Sequence, residues 1–333
     1  MNNNAGIDHI IDGIDNLAVL EALIKSKSVI GRHQKIVVSI SGGSDSDIVL
    51  DIVEKTKGNR TVEYIWFDTG LEYQATKNHL KYLEQKYGIK IQARRAIKPI
   101  PICCREYGAP FLSKQVSEFI SRLQKYNFKF EDKSFDELYA EYPKCKSALQ
   151  WWCNCKNGDK KSMFNINNNR WLKEFLIANP PQFKISNKCC TYAKKKVSQH
   201  FLDETDADLS IIGIRKSEGG VRATAYKNCF TSNDDGIDQY RPIFWMNDTD
   251  KKYYEERFGI THSDCYTKYG LKRTGCVGCP YGQNLNDELD AVYKFEPKLY
   301  LAINNIFKDS YEYTKQYKEF CAMMNNKNNI SES

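Results

Sequence analysis

No stretch of this 333-residue chain approaches the roughly 18 consecutive apolar residues that a membrane-spanning helix needs, which excludes a helical span. The opening run MNNNAGIDHIIDGIDN has neither the basic patch nor the apolar segment of a signal peptide, so a cytoplasmic protein is expected. Linkers rich in proline, glycine and serine are missing, as are internal repeats, and this favours one α/β domain with a long insertion over two independent domains. A strong excess of one charge is missing too. With 49 basic and 42 acidic side chains the net charge is +7, which suits a polyanionic partner, a nucleotide or a nucleic acid, and equally suits an ordinary solvated surface. Disulfides are not expected in a reducing compartment, which leaves the twelve cysteines as metal ligands, catalytic thiols or buried apolar residues.

What is present is an alternation of strand and helix signals. Ile10, Ile11, Ile14, Leu17, Leu20, Leu23 and Ile24 recur at helical spacing and predict an N-terminal helix. KIVVSI follows as a continuous β-branched run of buried parallel-strand type. DIVLDIV then pairs Ile48 with Ile52 and Val49 with Val53 on a helix face. TVEYIWFD is a second strand, LEYQATKNHLKYLEQKYG a helix closed by Gly88, and IKIQA a third strand. A βαβαβ order of this kind means a parallel sheet with helices on its faces. Beyond about residue 105 the pattern turns helical, lysine-rich and aromatic, and LSIIGIR at 209–215 reads as a return to the sheet. The expected layout is an N-terminal helical segment (1–34), an α/β domain (35–285) with a helical insertion near 106–185, and C-terminal helices (286–333) with a frayed asparagine-rich tail.

The loop after the first strand, SISGGSDS, carries the first chemical signal. In an open parallel sheet that loop aims its backbone N–H groups past the strand end, from the N-terminus of the next helix, and so forms an anion site. Gly42 and Gly43 permit close approach of a phosphate; Ser41, Ser44 and Ser46 offer hydroxyls; Asp45 is placed to orient a Mg²⁺ or to cap the helix. The spacing is neither G-x-x-x-x-G-K-[ST] nor G-x-G-x-x-G, so a Walker NTPase and a dinucleotide oxidoreductase are both unsupported.

S-G-G-x-D-S after a strand resembles the PP-loop of the ATP pyrophosphatases, which split ATP between its α and β phosphates to adenylate a substrate. The second strand ends in WFDTGLEYQAT, which is similar to the D-T-G-x-x-x-x-x-T segment of the phosphoadenosine phosphosulfate (PAPS) reductase family within that superfamily. The resemblance implies a Rossmann-like parallel sheet of the adenine nucleotide alpha hydrolase type, with Asp68, Thr69 and Gly70 beside the adenosine. GIRKSEGGVRA resembles the G-x-R-x-x-E-x-x-x-R stretch of PAPS reductase relatives, and implies that Arg215, Glu218 and Arg222 attend an anionic substrate. Lys194, Lys195 and Lys196 are placed to add positive field.

Among the cysteines, C-x-x-C at Cys276 and Cys279, flanked by Gly275, Gly278 and Pro280, reads as a tight turn aiming two thiolates at one metal. Together with the tandem Cys189 and Cys190 it looks like the 4Fe-4S pattern of adenylylsulfate-type members of the family. Zinc is the rival. Adjacent helical cysteines point about 100° apart, and a distorted helix end around a bulkier cluster accommodates them more readily than a zinc knuckle. Cys265 is a fifth candidate; Cys145, Cys153 and Cys155, beside Trp151 and Trp152, read as small buried hydrophobes. His262 reads as a lone surface histidine.

Sulfonucleotide reductases of the family carry a C-terminal E-C-G-x-H segment, whereas this chain ends YKEFCAMMNN, with Cys321 on a helical stripe of Tyr313, Tyr317, Phe320 and Met324. The leading expectation is an ATP-dependent, Mg²⁺-using, iron–sulfur enzyme that adenylates a substrate for sulfur transfer, with nucleic acid or a sulfur-donor protein as partner. The alternatives are a thiol-dependent reductase of an adenylyl sulfate-type nucleotide acting through Cys321, and a nucleotide-binding regulatory subunit without turnover.

Overall fold

The structure, a computed structural model, describes residues 9–156, 165–219, 225–233 and 236–331. It divides into two compact units, Met1–Ile97 with Ala193–Cys276, and Lys98–Tyr192 with Val277–Ser333.

The first unit is the α/β layer. Strands β1 (Ile36–Ser39), β2 (Val62–Asp68), β3 (Ile91–Arg95), β4 (Leu209–Ile211), β5 (Phe230–Thr231) and β6 (Asp238–Tyr240) form one sheet in the order β3-β2-β1-β4-β6-β5. All neighbours are parallel except β5 and β6. Ile36, Val37 and Val38 are buried, as a central strand covered on both faces requires. Helices α1 (Leu17–Gly31), α2 (Ser44–Thr56) and α3 (Gln74–Tyr87) belong to the same unit. Ile48, Val49, Leu50, Ile52 and Val53 of α2 are all fully buried, so α2 lies inside the core and not on its surface. Asp51 is tolerated there because Lys55 (2.6 Å), Tyr87 (2.9 Å) and Tyr254 (2.6 Å) all donate to its carboxylate. Asn16 caps α1 by accepting from Val19 N at 3.0 Å, and Gly88 ends α3 in the left-handed region at φ +62°. β1 is flanked by β2 on one side and β4 on the other, so the order of connection reverses at β1, where α/β sheets bind ligands.

The second unit is helical and aromatic. Trp151 stacks on Phe119 at 5.2 Å, and Trp152 meets Phe128 edge-on at 5.3 Å. Cys145 lies buried in that cluster and Cys153 packs against it, as small hydrophobes. The unit begins at Lys98 and ends at Tyr192, wider than the expected insertion, and it recruits the C-terminal helices. The cause is burial: Tyr313, Tyr317 and Phe320 of the helix Pro297–Ser331 close on Phe175. That helix continues through the asparagine-rich end to Ser331, where a frayed tail was expected. The N-terminal helix, expected as a separate segment, places Val19, Leu23 and Ile30 in the core of the first unit.

Within the second unit, Ala109 and Ile185 pair as an isolated parallel bridge, with Ala109 N donating to Lys184 O and Ser186 N to Ala109 O, both at 2.9 Å. Gly108 precedes the bridge at φ +109°, and a Cβ there would stand 2.2 Å from Lys184 O. Gly108→Ala should therefore cost on the order of 2–4 kcal/mol, from clash and from a disfavoured φ together. A urea midpoint equal to wild type would show that the bridge yields without cost.

Candidate functional site

The loop between β1 and α2 is shaped by its two glycines. Gly42 adopts φ +70°, and a Cβ there would lie 2.8 Å from Thr76 Cγ2 at the start of α3. A Cβ on Gly43 would stand 3.2 Å from Ser41 Oγ and from Thr274 Oγ1, and 3.3 Å from the Tyr266 hydroxyl. The serines hold the turn: Ser41 Oγ donates to Ser46 Oγ (3.2 Å), Ser46 Oγ donates to Gly43 O (2.8 Å), and Gly43 N donates to Ser41 Oγ (3.2 Å). Gly43 is the N-cap of α2 and provides no side-chain cap. The first-turn N–H groups of a helix have no intrahelical acceptor, and the positive end of the helix dipole points the same way.

Charge converges on this turn. Arg215 Nε donates to both oxygens of Asp45 at 3.1 Å, and Lys251 Nζ donates to Asp45 Oδ1 at 2.8 Å and to Ser44 Oγ at 2.5 Å. Arg215 Nη1 also donates to Asp248 (2.7 Å) and to Ser217 (3.1 Å). Burial acts to raise the pKa of Asp45, but Lys251 and Arg215 outweigh it and hold the carboxyl below the usual range. A carboxylate committed to two cations does not fit a Mg²⁺ ligand, so the expected metal-orienting role of Asp45 is not supported. Nor does its side chain cap α2. Arg215, expected at the substrate anion, is 8% exposed and spends its donors on Asp45, Asp248 and Ser217. Its place is that of an anchor for the loop.

The other expected residues gather at the same edge to different degrees. β2 runs parallel to β1, and its last residue, Asp68, accepts from Gly70 N at 2.9 Å, while Gly70 turns at φ +79°. Thr69 is fully buried with Oγ1 donating to Glu72 at 2.5 Å, so Thr69 shapes the turn and faces no open space. Burial raises the Glu72 pKa against Thr69 and Lys194, which locates Lys194 near this carboxyl. The loop after β4 approaches the first one closely: a Cβ on Gly213 would lie 3.4 Å from Asp45 C and Ser46 N. Glu218 is exposed in the short turn Lys216–Glu218, and Arg222 lies outside the described residues.

Several participants escaped the sequence reading. Lys251 sits in DTDKKYYEERF, which reads as a solvated helix and gives no signal of its own. Tyr266 accepts from Ser44 N at 3.1 Å and lies 3.2 Å from Thr274 Oγ1, forming a polar wall beside Gly43. His262 is not a lone surface residue. Its Nδ1 is 2.8 Å from Asp47 and its Nε2 is 2.8 Å from Glu255, while His79 Nε2 approaches the other Asp47 oxygen at 3.0 Å without hydrogen-bond alignment. Burial lowers the His262 pKa, but the two carboxylates prevail and push it up to about 9.

The cysteines divide between the units. Cys265 belongs to the first and is fully buried, 3.7 Å from Thr76 Oγ1; Cys276 is the last residue of that unit. Cys189, Cys190 and Cys279 belong to the second, where Cys104, Cys190 and Cys279 are the electrostatic neighbours of Cys189. The helix carrying the tandem pair widens just beyond it into a π-helical turn at Thr191–Lys195. Gly278 turns at φ +59°, with N donating to Glu288 at 2.9 Å and with Ile303 filling the space a Cβ would need. As the side chains stand, no three His, Cys, Asp or Glu among the described residues have a metal-holding arrangement. The donor set is nevertheless chemically suited to iron, being thiol throughout. Cys321 is held in the helix Pro297–Ser331, its Sγ 3.5 Å from Arg170 O.

A sheet wound in both directions from β1, with a glycine–serine cradle at the reversal, places the chain in the doubly wound α/β class. Residues 35–109 match the model of the phosphoadenosine phosphosulfate reductase domain. An uncharacterized protein of Methanocaldococcus jannaschii is 23% identical over 277 residues, a match covering 82% of this chain and 42% of that protein. This chain thus spans less than half the length of that relative. Among solved structures it is similar to a phosphoadenylyl-sulfate reductase from Candida auris (TM-score 0.42, 14% identity, 83% of this chain and 96% of that one). It is also similar to a U34-tRNA thiolase from Methanococcus maripaludis with its [4Fe-4S] cluster (TM-score 0.39, 13% identity, 92% of this chain and 79% of that one). No helix among the described residues is long and apolar enough to cross a membrane.

The His262 bridge predicts a pH dependence. Its folded-state pKa lies above the ordinary 6.5, so its contribution is full below pH 6.5 and is lost as pH rises through about 9. Unfolding free energy should fall by on the order of 2 kcal/mol between pH 6 and pH 10 in wild type, and His262→Gln should remove most of that slope. Equal slopes in the two proteins would rule the bridge out as the cause.

Proposed function

We propose that this protein is an ATP-dependent enzyme that adenylates its substrate and prepares it for sulfur transfer. The observation that carries the reading is the turn Ser41–Ser46 at the strand-order reversal, opened by Gly42 and Gly43 and flanked by the Lys251 ammonium. In the reaction a substrate oxygen attacks the α-phosphorus of ATP, the bond between that phosphorus and the bridging oxygen breaks, and pyrophosphate leaves. A sulfur nucleophile then attacks the activated carbon and AMP departs with the electron pair of the broken C–O bond. This chain's part is electrostatic and positional. The α2 N-terminus and Lys251 face the phosphates, Arg215 keeps Asp45 in place, and Asp68 with Gly70 forms the turn assigned to the adenosine side. Glu218 and Arg222 are proposed to attend the substrate.

Tandem Cys189 and Cys190 with the turn of Cys276 and Cys279 are proposed to hold an iron–sulfur centre, which when bound supplies electron or sulfur handling. A nucleic acid acceptor agrees with the net charge of +7. Reduction of a sulfonucleotide by Cys321 is disfavoured, because its thiol sits on a helix fastened by Tyr313 to Asn179 O and by Tyr317 to Arg170 O and not on a free arm.

Anaerobically prepared protein should release pyrophosphate and form AMP from ATP in the presence of its acceptor, and Gly43→Val should abolish ATP binding while circular dichroism remains native. Unchanged ATP affinity in folded Gly43→Val would overturn the phosphate cradle. Sulfite release that Cys321→Ser eliminates would instead establish the reductase reading.

A further inference from the structure

Within the second unit, a segment outside both cysteine motifs is fastened against the tandem pair. The helix Ile100–Tyr107 packs on the turn Lys188–Cys190, and the Ala109–Ile185 bridge ties the residues just beyond each of them. Tyr107 stacks on Tyr192 at 5.2 Å with planes 11° apart, and Lys98 Nζ sits 4.7 Å and 5.7 Å from the two rings. Cys104 lies one helical turn before Gly108, whose N donates to Cys104 O at 3.0 Å, so the close backbone approach at Gly108 fixes the depth of Cys104. The Cys104 and Cys189 thiols lie close enough across that helix contact to interact. Its neighbour Cys103 is directed elsewhere, with Sγ donating to Lys98 O at 3.3 Å.

One more group points into this cluster. Tyr281 buries its hydroxyl near Cys189, Cys190 and Cys279, and that oxygen has no well-aligned hydrogen-bond partner among the described residues. Ser117, its polar neighbour, already donates to Phe111 O at 2.9 Å and accepts from Phe111 N at 2.8 Å. A thiolate or a sulfide beside Cys189, Cys190 and Cys279 is an acceptor that would satisfy the hydroxyl, whereas neutral thiols are weak acceptors that leave it wanting.

We infer that Cys104 is a ligand of the iron–sulfur centre, so that the second unit by itself supplies four thiolates from Cys104, Cys189, Cys190 and Cys279. The inference rests on the cluster reading given above and replaces Cys276, the one member of that set in the first unit, by a donor that neither cysteine motif contains. Each thiol gives up its proton to solvent as it binds iron, and no change in the oxidation state of the sulfurs is needed. Packing alone would make Cys104 replaceable by any small apolar residue; ligation would not.

The experiment is iron and sulfide analysis of anaerobically reconstituted full-length protein, with visible absorption and electron paramagnetic resonance of the reduced form. Wild type should carry about four irons per chain. Cys104→Ser should lose at least half of that iron and change the resonance signal, and Cys103→Ser should match wild type. Iron-free wild type would contradict the cluster itself, whereas iron-replete Cys104→Ser with the wild-type spectrum would contradict only the assignment of Cys104. Should Cys104→Ser fail to fold, Cys104→Sec (selenocysteine) preserves volume and ligating power. Selenium–iron scattering at the selenium edge is then expected, and its absence from iron-loaded protein would overturn the inference.

Discussion

The first unit depends on one buried charge arrangement: the Asp45 carboxylate in the first turn of α2, held between Arg215 and Lys251. Its three members come from the first turn of α2, the loop after β4 and the helix Asp248–Phe258, so a single triad ties together three segments at the carboxyl edge of the sheet. Asp45 and Lys251 are each 16% exposed at the side chain and Arg215 10%, so none of the three is fully solvated. In such a setting, removing one partner strands the others, at a cost of roughly 3–5 kcal/mol, while the intact set contributes little net stability. What the triad contributes is position. It holds a cation beside Ser44 and the helix N-terminus, where a free lysine would sample many rotamers.

In the proposed function, that arrangement removes the need for a Walker-type lysine within the loop. The positive charge arrives from a helix more than two hundred residues away in sequence, and the loop itself carries no basic residue. Gly42 gives way to Thr76 and Gly43 to the Tyr266–Thr274 wall, so both positions are closed to larger residues by neighbours already in van der Waals range. A phosphate arriving there would share Lys251 with Asp45, and the depressed pKa of Asp45 keeps that carboxylate charged in competition. In the proposed function, binding strength at this loop is set by a balance between an anion of the protein and an anion of the ligand.

Much of the sheet was legible in the sequence because a buried parallel strand can hardly be written otherwise: KIVVSI carries β-branched Ile36, Val37, Val38 and Ile40, and Gly88 stops a helix where the left-handed region is needed. The cradle was legible for the same reason, since its residues are contiguous. What was not legible came from tertiary juxtaposition. Lys251 and His262 carry no local pattern, and Arg215, which does, turned out to face Asp45. The boundary of the second unit was hidden as well, because the aromatic stripe of Tyr313, Tyr317 and Phe320 announces a buried face without naming Phe175 as what it buries against.

The central claim, that Lys251 serves the phosphates of a nucleotide at this loop, is tested most directly by calorimetric titration of ATP and of AMP into wild type and Lys251→Met. The account predicts that wild type prefers ATP and that the variant loses about tenfold or more of that preference, a loss near 1.4 kcal/mol, while binding AMP nearly as before. An unchanged ratio of ATP to AMP affinity in a folded variant would contradict it.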